Sequence, residues 1–489
     1  MKISLPQISL PTLVGLLVFC ALVHLDATEG DTYWHVKAGE WIYAHRDVPR
    51  QDAFSYTRNG APWVDFEWLA EIVLYAAYAL DGWNGLRVLA SLAAATAIAG
   101  IAHILLTRRG SPYLAIVSAV MAFALCHAHF WARPHVLAWA PLAWWAAWQA
   151  DAGAKGTPPP WWTVPVLAVW ANLHGSFTLG LVLAALAAAE AAERLWRDGR
   201  LSVAAAKPWG LYLLALFAAA MATPYGLDGI LITQQTFSME KSMAYIAEWR
   251  SPDFQGGMHA FEFWLLLVIA AASLKRLDVP WARWLLLFFL IDTALRYQRN
   301  AVLFGLLIPV YFGKAVDETW ISAYGSAVNL TLNRWPRRTS PAAWCAAAAI
   351  AFYFATAPLP LRDTGAARGF DAAEAVGAVR AWSAGGDPGP VFNDYGLGGY
   401  LIFAGIKPFI DGRNLLYGDD FVARYAEAEN LTSPSALTGI LAEYDIRWTL
   451  LSAQSPAAAL LDHLDGWRRL YSNNRHVVHV RESPASPKP

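Results

Sequence analysis

"EGDTYWHVKAGEWIYAHRDVPRQDAFSY" runs from Glu29 to Tyr56, directly after the first strongly apolar segment of the chain. Two helices of a bundle are joined by about 2–8 residues, yet this stretch opens a polar interval that reaches to about residue 84. Acids, histidines and tryptophans stand where a short turn would serve. Whether the interval is a loop on one side of a membrane depends on the segments around it.

Of the 489 residues, 56% are hydrophobic and 15% charged, against about a quarter charged in soluble domains. Such a chain belongs in a bilayer, with membrane lipids as neighbours. Its formal net charge is −1, which gives no general attraction for nucleic acid, so no nucleic-acid partner is expected. Cys20, Cys126 and Cys345 fall in apolar stretches without the spacing of a disulfide framework or zinc site. They read as packing residues.

Crossing the hydrocarbon core takes about 20 apolar residues, fewer where aromatic residues cap the ends. Apolar runs at 10–27, 85–106, 112–130, 134–150, 161–174, 176–193, 208–224, 260–275, 282–297, 299–315 and 341–358 give about eleven spans. The first carries no small-residue cleavage site near its end, so it reads as an uncleaved helix. "EWLAEIVLYAAYALDG", Glu67 to Gly82, is short and carries Glu67 and Glu71, and reads as a helix on the membrane surface. On that count Arg108/Arg109, Lys155, Arg194/Arg197/Arg200/Lys207, Lys275/Arg276 and Arg334/Arg337/Arg338 all fall on one side. The positive-inside rule makes that side the cytoplasm. The N-terminus is then inside and the C-terminus outside.

From about Arg362 the composition turns to mixed polar and apolar, with "SAGGDPGP" and "DYGLGGY" separating the short β-type runs "YLIF", "WTLLS" and "HVVHVRE". A helical stretch at Asp371–Ala384 precedes them. The expected organisation is a membrane all-α domain over 1–360 with an outer loop at 28–84, a small α/β or α+β extracytoplasmic domain over 361–482, and a disordered tail at 483–489.

The outer side on this topology gathers the ionisable residues. Asp31 stands at the mouth of the first helix, followed by Trp34 and His35. "HAHFWARPH" adds His127, His129, Arg133 and His135, and "WANLHGSF" adds Asn172 and His174. A later loop supplies Glu240, Lys241, Glu248, Trp249 and Arg250, and "LRYQRN" supplies Arg296, Arg299 and Asn300. Each histidine alone reads as an interfacial residue at a helix end, and the tryptophans as belt anchors. A cluster on one face is a site, because ionisable groups at membrane depth are costly. His127 and His129 lack the i, i+4 spacing of helical metal ligands, and a loop that converges them with Asp31 or Glu67 is the metal-binding alternative.

"EGDTYWHVKAGEW", a following surface helix and "GLRVLASLAAAT" at the head of the next span together resemble the GT-C superfamily of polytopic glycosyltransferases. That group includes oligosaccharyl, protein O-mannosyl and lipid A aminoarabinose transferases. Within it, "VPRQDAFSYT", "EWLAE", "NLHGSF", "VFNDYGLGGYLI" and "KPFIDGRNLLYG" resemble stretches of bacterial members. The resemblance implies a GT-C-like bundle in a bacterial inner membrane, moving a sugar from a polyprenyl-phosphate donor to a glycan, lipid or protein acceptor outside. By position Asp31 matches the family's first-loop acid.

The chemistry asks for the same residue types. An acceptor hydroxyl becomes a nucleophile when a base takes its proton, and Asp31 is the candidate catalytic base. The leaving lipid phosphate needs cationic stabilisation, for which Arg296 and Arg299 are the candidates. One direct displacement inverts the anomeric carbon. His35, Glu67, Trp34, Arg133, His174 and Glu248 are the candidate substrate-binding residues. Metal-dependent family members add acids and a histidine, so Mg2+ or Mn2+ beside Glu67 and His35 stays an alternative to a metal-free site. A lipid-linked-sugar transporter or flippase, or a non-catalytic assembly subunit of an envelope polysaccharide pathway, are the rival functions. A transporter would show paired, interrupted helices near the midplane, whereas the ionisable residues here gather at one face. "FIDGRN" reads as a glycine-bearing turn holding an Asp411–Arg413 pair as architecture, with acceptor recognition or docking of a partner protein as the functional alternative.

Overall fold

A computed structural model describes residues 9–108, 110–274, 277–321, 372–433 and 435–482. The expected span at 341–358, the expected disordered tail, Cys345 and the basic residues Arg109, Lys275, Arg276, Arg334, Arg337 and Arg338 lie outside them. Packing divides the chain into two compact units. One comprises Met1–Leu25, Asn84–Ile230 and Glu248–Arg362; the other Asp26–Trp83, Leu231–Ala247 and Asp363–Pro489.

The first unit is helical. Leu10–Leu22, Pro112–His127, Pro134–Lys155, Thr163–Ala171, Phe177–Arg197, Val203–Ala220, His259–Leu274, Trp281–Arg296 and Ala301–Val316 stand at the positions of apolar runs. Among the described residues, Trp68–Thr107, Val203–Ala220 and Gln298–Thr319 are long and apolar enough to cross a membrane, with Leu10–Leu22, Pro112–His127 and His259–Leu274 as shorter apolar helices. The Trp68–Thr107 helix is two helices in fact. Its backbone leaves helical geometry at Asp81 and at Gly82, whose φ of 55° suits a residue without a Cβ.

Small residues let these helices approach. A Cβ on Gly153 would stand 3.1 Å from the Ala187 carbonyl, and one on Gly180 2.8 Å from the Trp170 ring, the close packing that membrane bundles favour. Ala301–Val316 is buried on nearly every side. Phe263, Leu266, Leu267, Leu214, Phe288 and Phe289 instead turn outward and are exposed, the surface a lipid environment covers. The buried Glu190 has a charged partner: half-buried Arg283 donates to both of its oxygens at 2.9 Å and to the Tyr311 carbonyl at 2.7 Å, the pairing that a buried carboxylate demands.

The second unit joins the first polar loop to the tail sheet. Strands β1 (Val391–Asn393), β2 (Trp448–Ser452), β3 (Trp467–Ser472) and β4 (His476–Arg481) form a sheet of order β1-β2-β4-β3, with β1 parallel to β2 and the other pairs antiparallel. "WTLLS" and "HVVHVRE" are strands as expected, and Ala373–Trp382 is the expected helix. "YLIF" is not a strand: it lies in the helix Gly398–Phe403, with Leu401 and Ile402 buried. A short apolar run carries no period that separates the two states.

The helix Gly30–His45 starts where Thr32 Oγ1 accepts from the Glu29 backbone and ends at Arg46 in left-handed geometry. Glycines set its neighbours. A Cβ on Gly39 would meet the Glu71 carbonyl at 2.1 Å, and one on Gly399 the Gly30 carbonyl at 2.0 Å. After the helix, Tyr56 and Thr57 donate through their hydroxyls to the Val391 and Phe409 carbonyls, and Arg58 to that of Tyr417. "VPRQDAFSYT" is therefore a strap across the tail fold.

Candidate active site

In the second unit Asp31 lies in the first turn of the Gly30–His45 helix, half-buried. Trp34, one turn on, donates from Nε1 to Asp31 Oδ1 at 3.1 Å. The indole stacks near the His35 ring, with centroids 3.6 Å apart. His35 is buried, its Nδ1 3.0 Å from Glu71 Oε1 and its Nε2 3.9 Å from Glu67 Oε2. Beside them Asp65 is enclosed, and burial pushes its carboxyl up to about 6 although a Glu71 hydrogen bond and the Arg413 charge pull it down.

The "FIDGRN" turn adjoins Asp31. A Cβ built on Gly412 would lie 1.8 Å from Asp31 Oδ1. Its flanking residues are locked: Arg413 donates to both Asp411 oxygens at 2.8 and 2.7 Å and to Asp52 Oδ1 at 2.7 Å. Tyr417 donates to Asp411 at 2.6 Å, and the Trp63 ring lies 4.8 Å from the guanidinium. Asp52 also accepts from the backbones of Phe54 and Ser55.

The first unit holds a separate cationic cluster. Glu248 Oε1 lies 3.3 Å from Arg299 Nη1 and 3.6 Å from Arg133 Nη1, and the Trp249 ring covers Arg299 with 4.4 Å to its centroid. Burial raises the Glu248 carboxyl, but Arg299 and Arg133 outweigh it and hold it at about 2. His135 Nε2 lies 2.9 Å from the His129 carbonyl, and the His135 and His174 rings 6.4 Å apart. His174, in the loop after Thr163–Ala171, bonds Ser176 Oγ at 2.8 Å. Two guanidinium groups against one carboxylate leave one positive charge among these groups, in the planar fork geometry that suits phosphate oxygens.

Of the sequence candidates, Asp31, Trp34, His35 and Glu67 share one cluster, and Arg133, His174, Glu248 and Arg299 the other. Arg296 joins neither. It is exposed and turns back along its own helix to Asp292 at 3.0 Å. Asp65 joins the first cluster, and Asp52 the lock on the adjoining turn, without any sequence signal, since an acid buried by residues far along the chain looks like any loop acid. Among the described residues no group of three or more His, Cys, Asp and Glu side chains could hold a metal ion.

No family model and no curated protein matches the chain. Its fold does have solved counterparts. The oligosaccharyltransferase AglB of Archaeoglobus fulgidus, solved with an inhibitory peptide and a dolichol-phosphate, superposes with a TM-score of 0.51 at 12% identity, over 90% of this chain and 69% of that one. The chain shares the fold of that oligosaccharyltransferase. ArnT of Cupriavidus metallidurans, bound to undecaprenyl phosphate, matches at a TM-score of 0.47 and 15% identity, over 98% of this chain and 99% of ArnT.

Proposed function

We propose that this protein transfers a sugar from a polyprenyl-phosphate carrier to a cell-envelope glycan, lipid or protein acceptor on the outer side of a bacterial inner membrane, through a bundle of about eleven spans. In this reading the N-terminus is cytoplasmic, the tail domain is extracytoplasmic, and the Glu67–Gly82 segment lies on the membrane surface. The observation that carries it is the Arg299–Glu248–Arg133 cluster in a GT-C fold. That an AglB structure holds a dolichol-phosphate supports a lipid-phosphate ligand for such a fold.

The acceptor hydroxyl oxygen attacks the anomeric carbon and forms the new C–O bond. The bond from that carbon to the carrier phosphate breaks, and its electron pair leaves with the phosphate. Asp31 takes the hydroxyl proton. Arg299, with Arg133, neutralises the charge that grows on the phosphate, and Glu248 holds both guanidinium groups in place until it arrives. Attack opposite the leaving phosphate inverts the centre. His35, Glu67 and Trp34, beside Asp31, bind substrate. Arg296, turned toward Asp292, has no part in holding phosphate.

Mass spectrometry of lipid extracts tests this. Cells carrying Asp31→Asn at the wild-type protein level should accumulate a polyprenyl-phosphate sugar that wild-type cells consume. Identical extracts and an unchanged envelope glycan profile would end the transferase reading with Asp31 as base.

A further inference from the structure

We propose that Gly412, far along the chain in the tail domain, is a positioning residue for Asp31: its missing side chain forms the seat that fixes the Asp31 carboxylate for proton abstraction. This rests on Asp31 being the base described above. The three atoms nearest to a Cβ at position 412 all belong to Asp31: Oδ1 at 1.8 Å, Cγ at 2.6 Å and Oδ2 at 3.0 Å. Gly412 is not in the left-handed region, so backbone geometry does not demand glycine there. Space for the carboxylate does.

Neither side of this contact can retreat. The turn is held from within, because Arg413 donates from its backbone to Asp411 Oδ1 at 3.0 Å and forks onto the same carboxylate, and Asp52 ties the guanidinium to the strap. The helix that carries Asp31 is held as well, since the Gly30 carbonyl fills the space where Gly399 would carry a side chain. Any atom added at 412 therefore displaces the Asp31 side chain and breaks its hydrogen bond from Trp34 Nε1. A misplacement on the order of 1 Å can cost a catalytic group about 100-fold in rate.

The test uses the full chain in detergent or nanodiscs. Asp31 is labelled with a water-soluble carbodiimide and an amine across a pH series and read by peptide mass mapping, in wild type and Gly412→Ala. The expected result is a faster reaction and a shifted pH midpoint at Asp31, with no change at the loop acid Asp253. In cells, G412A should accumulate the same lipid-linked sugar as D31N, and the double variant no more than D31N alone, as two residues acting through one group require. An unchanged Asp31 midpoint in folded G412A overturns the seat, as do wild-type lipids in G412A where D31N accumulates. Should D31N itself leave the lipids unchanged, the base assignment fails, and the labelling midpoint alone decides the seat. Should G412A not fold, D31A/G412A removes the atoms that the new methyl meets: recovered folding supports the seat, and continued failure overturns it.

Discussion

Arg413 donates from Nη1 to Asp52 Oδ1 at 2.7 Å, a bond between buried side chains separated by 361 positions. It ties the strap of the first polar loop to the tail turn. The same guanidinium holds Asp411 through two further bonds, so its charge is matched on both sides.

Removing one member of such a buried arrangement leaves an uncompensated charge, at a cost of about 3–5 kcal/mol. Arg413→Met should therefore lower the thermal unfolding midpoint sharply, leaving Asp52 and Asp411 buried without their partner. Asp411→Asn should cost less, because it keeps the shape and the Tyr417 hydroxyl bond in part. A midpoint in R413M equal to wild type would contradict the role assigned to this pair.

The two arginines at "LRYQRN" should separate cleanly. Arg299→Ala removes a guanidinium that faces Glu248 and stacks on Trp249, and it should accumulate the lipid-linked donor as D31N does. Arg296→Ala loses only an exposed pair with Asp292, a contact of the kind that contributes about 0–1 kcal/mol. Its lipid extract should match wild type; equal accumulation in both variants would count against Arg299 as the phosphate ligand.

Asp65 should give the fold a pH dependence of its own. Its carboxyl stands at about 6 in the folded chain against 3.8 for an unperturbed aspartate, so between those values the folded state binds the extra proton. Stability from this group is present at low pH and is lost as pH rises through that interval, then stays level. Asp65→Asn, which cannot ionise, should lack this loss, seen as a flatter plot of unfolding midpoint against pH. Parallel plots for the two proteins would refute it.

Two glycines on tail helices should respond in opposite directions to alanine. Gly399→Ala drives a methyl to within 2.0 Å of the Gly30 carbonyl, and overpacking of that kind costs about 1–3 kcal/mol or more. Gly377, inside Ala373–Trp382, has nothing within 4 Å of its Cβ position, so alanine there should stabilise by up to about 1 kcal/mol through helix propensity. Chemical or thermal unfolding of the two variants compares them directly.

Local signals carried much of the architecture. Long apolar runs placed helices, "WTLLS" and "HVVHVRE" were legible as strands from their β-branched and apolar content, and Gly82 marked the break before the helix that ends at Thr107. The kinds of residue that the proposed sugar transfer needs were visible as well, because the chemistry of Asp31, Arg133, Glu248 and Arg299 follows from their side chains.

What the sequence by itself determined is the class of chain, the identity of its elements and the inventory of acids and cations. Only the tertiary structure decided which of these groups meet. Periodicity and composition act over a few residues, whereas Asp31 against Gly412, or Asp52 against Arg413, depends on chain segments brought together by burial of "YLIF" as a helix and by glycines that allow backbones to touch. For the same reason Arg296 and Arg299, three positions apart and alike in sequence, differ in kind: one faces Asp292 in the open, the other Glu248 and a tryptophan ring.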